Sequence, residues 1–84
     1  MGRLEYVYDT QMIVEGGGVV VDEIRETLAQ MPGDCLLVVG DDGLAKIHFH
    51  TNEPWKVMEA VAGYGVIYDV VVENMEKQSE EFLG

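Results

Sequence analysis

Two histidines and an aspartate are the residues of this chain whose types and spacing could support chemistry. His48 and His50 are the only histidines among 84 residues, and they stand two positions apart. In a β-strand, residues i and i+2 share a face and lie about 6–7 Å apart at the backbone, so both imidazoles can reach one ion. With Asp9 as a third ligand, this set of two histidines and one carboxylate suits zinc or another divalent transition metal.

The same three side chains are also suited to acid–base catalysis. Histidine changes charge near neutral pH, and a carboxylate can orient an imidazole and stabilise its charged form. A His-x-His pair is a weak signal by itself, since most such pairs are surface residues or adventitious metal ligands. The pattern therefore leaves open a metal site, an acid–base site, or a pair without a chemical role.

The elements that must position these residues follow the order strand, helix, strand, strand, helix, strand. β-branched and aromatic residues predict the strands, and apolar residues at helical spacing predict the helices. The predicted strands are residues 4–14, 35–39, 44–50 and 66–73, and the predicted helices are residues 20–31 and the segment from Pro54 to Gly63. This order predicts an α+β fold of the ferredoxin-like βαββαβ type, a four-stranded antiparallel sheet with two helices on one face. We expect residues 1–84 to form a single domain, with 74–84 as a helical tail or a linker to a following domain.

Side-chain alternation along the strands then brings the three residues together. On the third predicted strand, His48 and His50 lie on the face opposite Ile47 and Phe49. On the first predicted strand, Asp9 lies opposite the apolar residues. Because the first and third strands are central neighbours in this fold, Asp9 is expected beside both histidines on the face that the helices leave uncovered.

The composition excludes several classes of function. Five basic residues against sixteen acidic ones give a net charge of −11, which would repel nucleic acid and anionic membrane surfaces. No apolar run approaches the roughly 20 residues of a membrane span, and no signal peptide is recognisable. A single cysteine excludes an internal disulfide, which favours a reducing, cytoplasmic location.

Three further features have structural interpretations. Cys35 lies in an apolar strand, and we expect it to be a small buried residue and not a nucleophile. Asn52 or Glu53 is expected to cap the second helix, with Asn52 favoured, and the alternative role for Asn52 is to brace the histidine strand. On the last strand, alternation places Ile67 and Val71 on one face and a second apolar set, Tyr68, Val70 and Val72, on the other. A strand that is apolar on both faces fits a homodimer or an interdomain contact better than full exposure to solvent.

Two blocks of the sequence resemble the middle domain of bacterial fatty acid kinase, a member of the dihydroxyacetone-kinase-like proteins. They are G-D-C-L-L-V-V-G-D-D from Gly33 to Asp42, and K-I-H-F-H-T-N-E-P from Lys46 to Pro54. The likeness continues at Tyr64-Gly65 and at Glu73-Asn74-Met75, and so covers nearly the whole chain. The His-x-His-Thr-Asn block is its most specific part.

The resemblance implies a role that residue patterns alone do not. It implies a parent kinase that uses ATP and Mg²⁺, bound by an N-terminal kinase domain outside these 84 residues, to phosphorylate a fatty acid presented by a separate fatty-acid-binding carrier protein. It also implies a middle domain that takes part in dimerisation and that carries a cysteine and two histidines needed for activity, with zinc as the expected ion. His48 and His50 match those histidines, whereas the domain alone is not expected to be an enzyme.

One position departs from the family pattern. The family cysteine lies in a segment of the type Y-x-Y-C-T-E, and the matching segment here is Y-V-Y-D-T-Q, with Asp9 in place of the cysteine. Asp9 can ligate a metal, but it cannot act as a thiolate nucleophile, so metal binding or electrostatics is favoured over covalent catalysis. The alternatives are a non-catalytic interaction and dimerisation scaffold, and a regulatory metal-binding domain of unrelated function.

Overall fold

Strands and helices follow one another along the chain in the order that the sequence predicts. The computed structural model describes residues 4–78, whose elements are β1 (Tyr8–Glu15), α1 (Val21–Ala29), β2 (Asp34–Asp41), β3 (Leu44–Thr51), α2 (Pro54–Ala62) and β4 (Val66–Asn74). The strands form one antiparallel sheet in the order β2-β3-β1-β4. This is the ferredoxin-like arrangement, and it confirms the predicted fold class. Residues 75–78 continue as a helical turn, and the rest of the predicted tail lies outside the described residues.

The core lies between the two helices and one face of the sheet. β1 and β3 contribute alternate residues to it, and each helix contributes residues spaced by four, as a 3.6-residue period requires. The buried apolar set from these four elements is Met12, Val14, Ile24, Leu28, Ala45, Ile47, Phe49, Val57 and Val61. Thr10 is buried in the same row of β1. The odd-numbered residues of β1 and the even-numbered residues of β3 therefore face away from the helices, as predicted.

Both helices begin where the sequence predicts, to within one residue. α1 carries Asp22 and Glu23 in its first turn, where acidic side chains interact favourably with the helix dipole. It ends at Ala29, two residues earlier than predicted, ahead of Pro32. α2 starts with Pro54 in its first turn, where the missing N–H of proline costs no helical hydrogen bond.

Asn52 does not cap α2 as predicted, because its side chain binds the segment that precedes β1. Its Oδ1 accepts a hydrogen bond from the backbone N–H of Val7 at 2.9 Å, and its Nδ2 donates to the carbonyl of Glu5 at 3.0 Å. β1 begins at Tyr8 and not at residue 4, so Asn52 satisfies backbone groups that precede the strand. The carbonyl of Val7 also accepts a hydrogen bond from the N–H of Met75 at 2.9 Å. We call this arrangement of Asn52, Val7 and Met75 the clasp.

The central and edge strands differ in regularity. β1 and β3 pair without interruption from Tyr8↔Thr51 to Glu15↔Leu44. The pairing of β2 with β3 shifts between Asp34 and Leu37, and the pairing of β4 with β1 shifts opposite Gln11 and Ile13. The shifts coincide with Cys35 and Asp69, each at φ +53°, which identifies a β-bulge in each edge strand.

The two bulges overturn two predictions from alternation. Cys35 is exposed and not buried, because one extra residue turns it out of the core row. Tyr68 and Val71 face the same side of the sheet, opposite Ile13 and Gln11, so the predicted division of β4 between its faces is wrong. β4 is nevertheless apolar on both faces, and Val66, Tyr68, Val70, Val71 and Val72 are all exposed.

Among residues 4–78, no helix has the length and hydropathy needed to cross a membrane.

Candidate metal centre

The register of the sheet places four ionisable residues in one row across its uncovered face. The row consists of Asp34 in β2, His50 in β3, Asp9 in β1 and Glu73 in β4, each opposite its neighbour. The adjacent row consists of Leu37, His48, Gln11 and Val71. Because opposite residues of antiparallel strands project from the same face, Asp9, His48 and His50 meet at the centre of the sheet, as the sequence predicts.

The donor atoms of these three residues are arranged closely enough to share one ion. The Nε2 atoms of His48 and His50 are 3.2 Å apart. The Oδ1 atom of Asp9 is 3.6 Å from Nε2 of His48 and 3.9 Å from Nε2 of His50. In a tetrahedral zinc site, metal–nitrogen bonds of about 2.0–2.1 Å put two ligand atoms about 3.3 Å apart. The two nitrogens already have this separation, and the carboxylate reaches it by moving a few tenths of an ångström.

The cluster is partly buried but open on one side. The exposed fraction of the side chain is 35% for His48 and 20% for both Asp9 and His50. A site with three protein ligands and solvent access has the form that catalytic zinc sites take, in which the fourth position accepts water or substrate. Gln11 directs its amide Nε2 towards both oxygens of Asp9 at 3.4 Å, a long contact that helps to keep the carboxylate in the row.

Asp34 contacts the other ring nitrogen of His50. The distance from Nδ1 of His50 to Oδ1 of Asp34 is 3.5 Å. Metal-binding histidines commonly donate their second ring N–H to a carboxylate, which orients the ring and fixes its tautomer. A proton on Nδ1 leaves the lone pair of Nε2 directed towards His48 and Asp9. Asp34 was missed at the sequence level because its register with His50 depends on the bulge.

The same geometry is compatible with proton transfer. The 3.2 Å separation of the two Nε2 atoms allows one ring to donate a hydrogen bond to the other when no metal is bound. The two rings are tilted by 51° with centroids 5.0 Å apart, so they are not stacked face to face. The arrangement therefore supports either a shared metal ion or a shared proton.

Fold and site together define a class: a ferredoxin-like α+β domain with a cluster of two histidines and one aspartate on its open sheet face. The chain belongs to the family of FakA-like middle domains of fatty acid kinase, whose family model matches residues 5–82. The resemblance that the His-x-His-Thr-Asn block suggested is thereby confirmed.

Curated relatives of this chain are much longer proteins. Uncharacterized proteins of Staphylococcus aureus strains USA300 and NCTC 8325 are each 37% identical to it over 82 residues. In both comparisons the match covers 93% of this chain and 15% of the relative. The chain therefore spans about 15% of the length of these relatives.

Proposed function

We propose that this middle domain contributes a zinc-class metal site, formed by Asp9, His48 and His50, to a kinase that phosphorylates a carrier-bound fatty acid with ATP. The observation that carries this proposal is the 3.2 Å approach of two imidazole nitrogens beside a carboxylate on an open sheet face. Membership of the FakA-like family of fatty acid kinase middle domains supports the choice of this reaction. The parent protein is a phosphotransferase in this proposal, and the domain alone is inactive.

The three residues have separate tasks in the proposed site. His48 and His50 present neutral Nε2 atoms, and Asp9 adds a negative charge that favours a cation over a neutral occupant. Zinc held there supplies a positive charge that can polarise an oxygen of a bound carboxylate. Asp34 orients His50 through Nδ1. Transfer of the phosphoryl group depends on ATP and Mg²⁺ in the N-terminal kinase domain of the longer protein.

The partners in this proposal are a second copy of the chain, the kinase domain and the carrier protein. Within residues 4–78, β4 pairs only with β1, so its outer edge is available for another strand. Val66 is 70% exposed there, and the neighbouring Val70, Val71 and Val72 are also exposed. An exposed apolar edge strand favours pairing between two chains, so we assign the homodimer to β4.

The exposed free thiol of Cys35 supports a reducing compartment such as the cytoplasm.

The first test is the metal content of the purified 84-residue chain. We expect about one zinc-class ion per chain in the wild type. His48→Ala and Asp9→Ala should lose it, and Lys46→Ala is the matched control because Lys46 is an exposed residue on the same strand and face as His48. Circular dichroism establishes that each variant remains folded. Metal retained by a folded His48→Ala variant, or no metal in the wild type after zinc is added and excess removed, would reject the site.

A second candidate function is an interaction scaffold without a chemical role, which the apolar edge of β4 favours. Kinase assays of the full-length protein separate the two. In the first proposal His48→Ala abolishes phosphorylation while the fold and the dimer persist, and Glu59→Ala, an exposed change on α2, leaves the rate unchanged. An unchanged rate in His48→Ala supports the scaffold.

Sedimentation of Val71→Lys tests the dimer, since a charge on this edge strand should yield monomers.

A further inference from the structure

We infer that Asp34, Cys35 and His50 form a second coordination site, one that contains a thiolate and prefers softer ions such as Cd²⁺ to the ions that suit Asp9, His48 and His50. The potential metal-ligand atoms of the three residues, one from each, all lie within 4.8 Å of one another. The site lies beside the first cluster, on the other side of the His50 ring. It rests on the geometry of β2 and does not depend on the kinase reaction.

The β2 bulge places the thiol at this site. Asp34 lies opposite His50, and Leu37 lies opposite His48, so two residues of β2 share the position opposite Phe49. In a regular strand, Cys35 alone would take that position and would face the core with Phe49. With the extra residue, Leu36 packs against the core and Cys35 is exposed at φ +53°. The bulge thus moves a thiol from the core to the open face, beside His50.

The ligand set fits a thiophilic ion. Oδ1 of Asp34 and Nδ1 of His50 are 3.5 Å apart, close to the separation of about 3.3 Å between two light ligand atoms in a tetrahedral site. Cys35 adds sulfur, a soft ligand that favours cadmium and other soft ions over harder cations. Asp34 and Cys35 are both exposed, so an ion can enter without rearrangement of the fold.

The shared histidine makes the two sites alternatives. Nε2 of His50 faces Asp9 and His48, whereas Nδ1 faces Asp34. A neutral imidazole has one lone pair and carries its proton on the other nitrogen. When Nε2 binds an ion, Nδ1 keeps the proton that Asp34 accepts, and when Nδ1 binds an ion, Nε2 keeps it. The nature of the ion therefore selects the side of His50 on which it binds.

Titration of the reduced 84-residue chain with Cd²⁺ alone tests the second site, because a thiolate bound to cadmium absorbs in the ultraviolet, at shorter wavelength than the aromatic side chains. We expect this absorption in the wild type at about one ion per chain. Cys35→Ser should abolish it, and His50→Ala should weaken cadmium binding by at least about tenfold, the lower end of what even a supporting partner contributes. Asp34→Asn removes the carboxylate ligand and should also weaken cadmium binding. Its control is Glu59→Gln, which removes an exposed carboxylate elsewhere on the chain.

His48→Ala distinguishes this inference from the proposed function. It removes a ligand from the first site only, so it should lose zinc in the metal analysis but keep the thiolate–cadmium absorption. Absence of the absorption in the wild type, with the thiol shown to be reduced by titration, would overturn the second site. So would undiminished absorption in both His50→Ala and Asp34→Asn, since the thiol would then bind cadmium without its neighbours.

Discussion

The central and edge strands of this sheet differ in how regularly they pair. β1 and β3 keep one unbroken register over eight residue pairs, whereas β2 and β4 each contain a bulge at a residue with φ +53°. A slip between central strands would transfer a whole buried row to solvent, so their register is strongly determined. In the part of the chain that the structure describes, each edge strand pairs on one side only, and an extra residue there is less costly.

The division has a functional counterpart. Asp9, His48 and His50 come from the central strands, where the backbone fixes the positions of all three. Asp34 and Cys35 come from the irregular start of β2, and they modify what His50 can do. The three ligands of the proposed metal site therefore lie on regular strands, whereas the two residues that modify His50 lie at a bulge.

The largest expected effect comes from removing a core side chain of a central strand. Phe49 is 2% exposed, and Phe49→Ala should lower the free energy of unfolding by about 3–5 kcal/mol. Lys46→Ala, on the opposite face of the same strand, should change it by no more than about 0.5 kcal/mol. Urea unfolding measures both. If Phe49→Ala does not fold, Ile47→Val, expected to cost about 0.5–1.5 kcal/mol, provides a milder test. Equal effects on the two faces would contradict the assigned alternation.

A smaller effect, of opposite sign, is expected at the β4 bulge. Asp69 has φ +53°, a region that costs a non-glycine residue roughly 1–2 kcal/mol. Asp69→Gly relieves this cost but increases the entropy of the unfolded chain by the equivalent of about 0.5–1 kcal/mol, so stability should rise slightly or stay constant. Lys46→Gly, in a regular strand, carries only the entropic term and should be destabilised. Comparable destabilisation of both variants would show that the bulge is not strained.

The smallest effect concerns the titration of one edge-strand tyrosine. The Tyr68 hydroxyl donates a hydrogen bond to Oε1 of Glu15 at 2.7 Å. This hydrogen bond, with desolvation and the nearby charges of Glu15 and Asp69, raises the pKa of Tyr68 above 10.0. Because the pKa is raised on folding, the associated stabilisation is present below pH 10 and is lost as the pH rises through the folded-state pKa.

Phenolate absorbance measures this pKa, with Tyr68→Phe subtracted to remove the other tyrosines. Glu15→Ala should lower the pKa of Tyr68 towards its ordinary value. The same pKa with and without the carboxylate would mean that the hydrogen bond does not form in solution.

The central strands could be predicted from sequence because two constraints coincide there. His48 and His50 alternate with Ile47 and Phe49, and only one phase of that alternation buries the apolar pair. The topology then determines that Asp9 lies beside them. Asn52 was misassigned because a residue before a proline-initiated helix resembles a cap, while its actual backbone partners lie 45 and 47 residues away in the chain.

The edge strands could not be predicted in the same way. Residues 35–39 are all apolar, so the sequence does not show which of them face the core. The bulge that exposes Cys35 leaves no recognisable pattern in the sequence. In β4 a signal was present: Asp69 is a polar residue inside a β-branched run, and aspartate tolerates positive φ better than most residues. Only that residue could have indicated that Val71 shares a face with Tyr68.

The clasp has a mechanical consequence. Asn52, Val7 and Met75 tie the entry to β1 and the exit from β4 together at the end of the sheet that carries Asp9 and His50. The backbone that precedes β1 and the backbone that follows β4 are therefore held together at one point, and Val7 lies two residues before Asp9. A displacement of either segment would therefore reach Asp9, a ligand of the proposed metal site, through a short length of backbone.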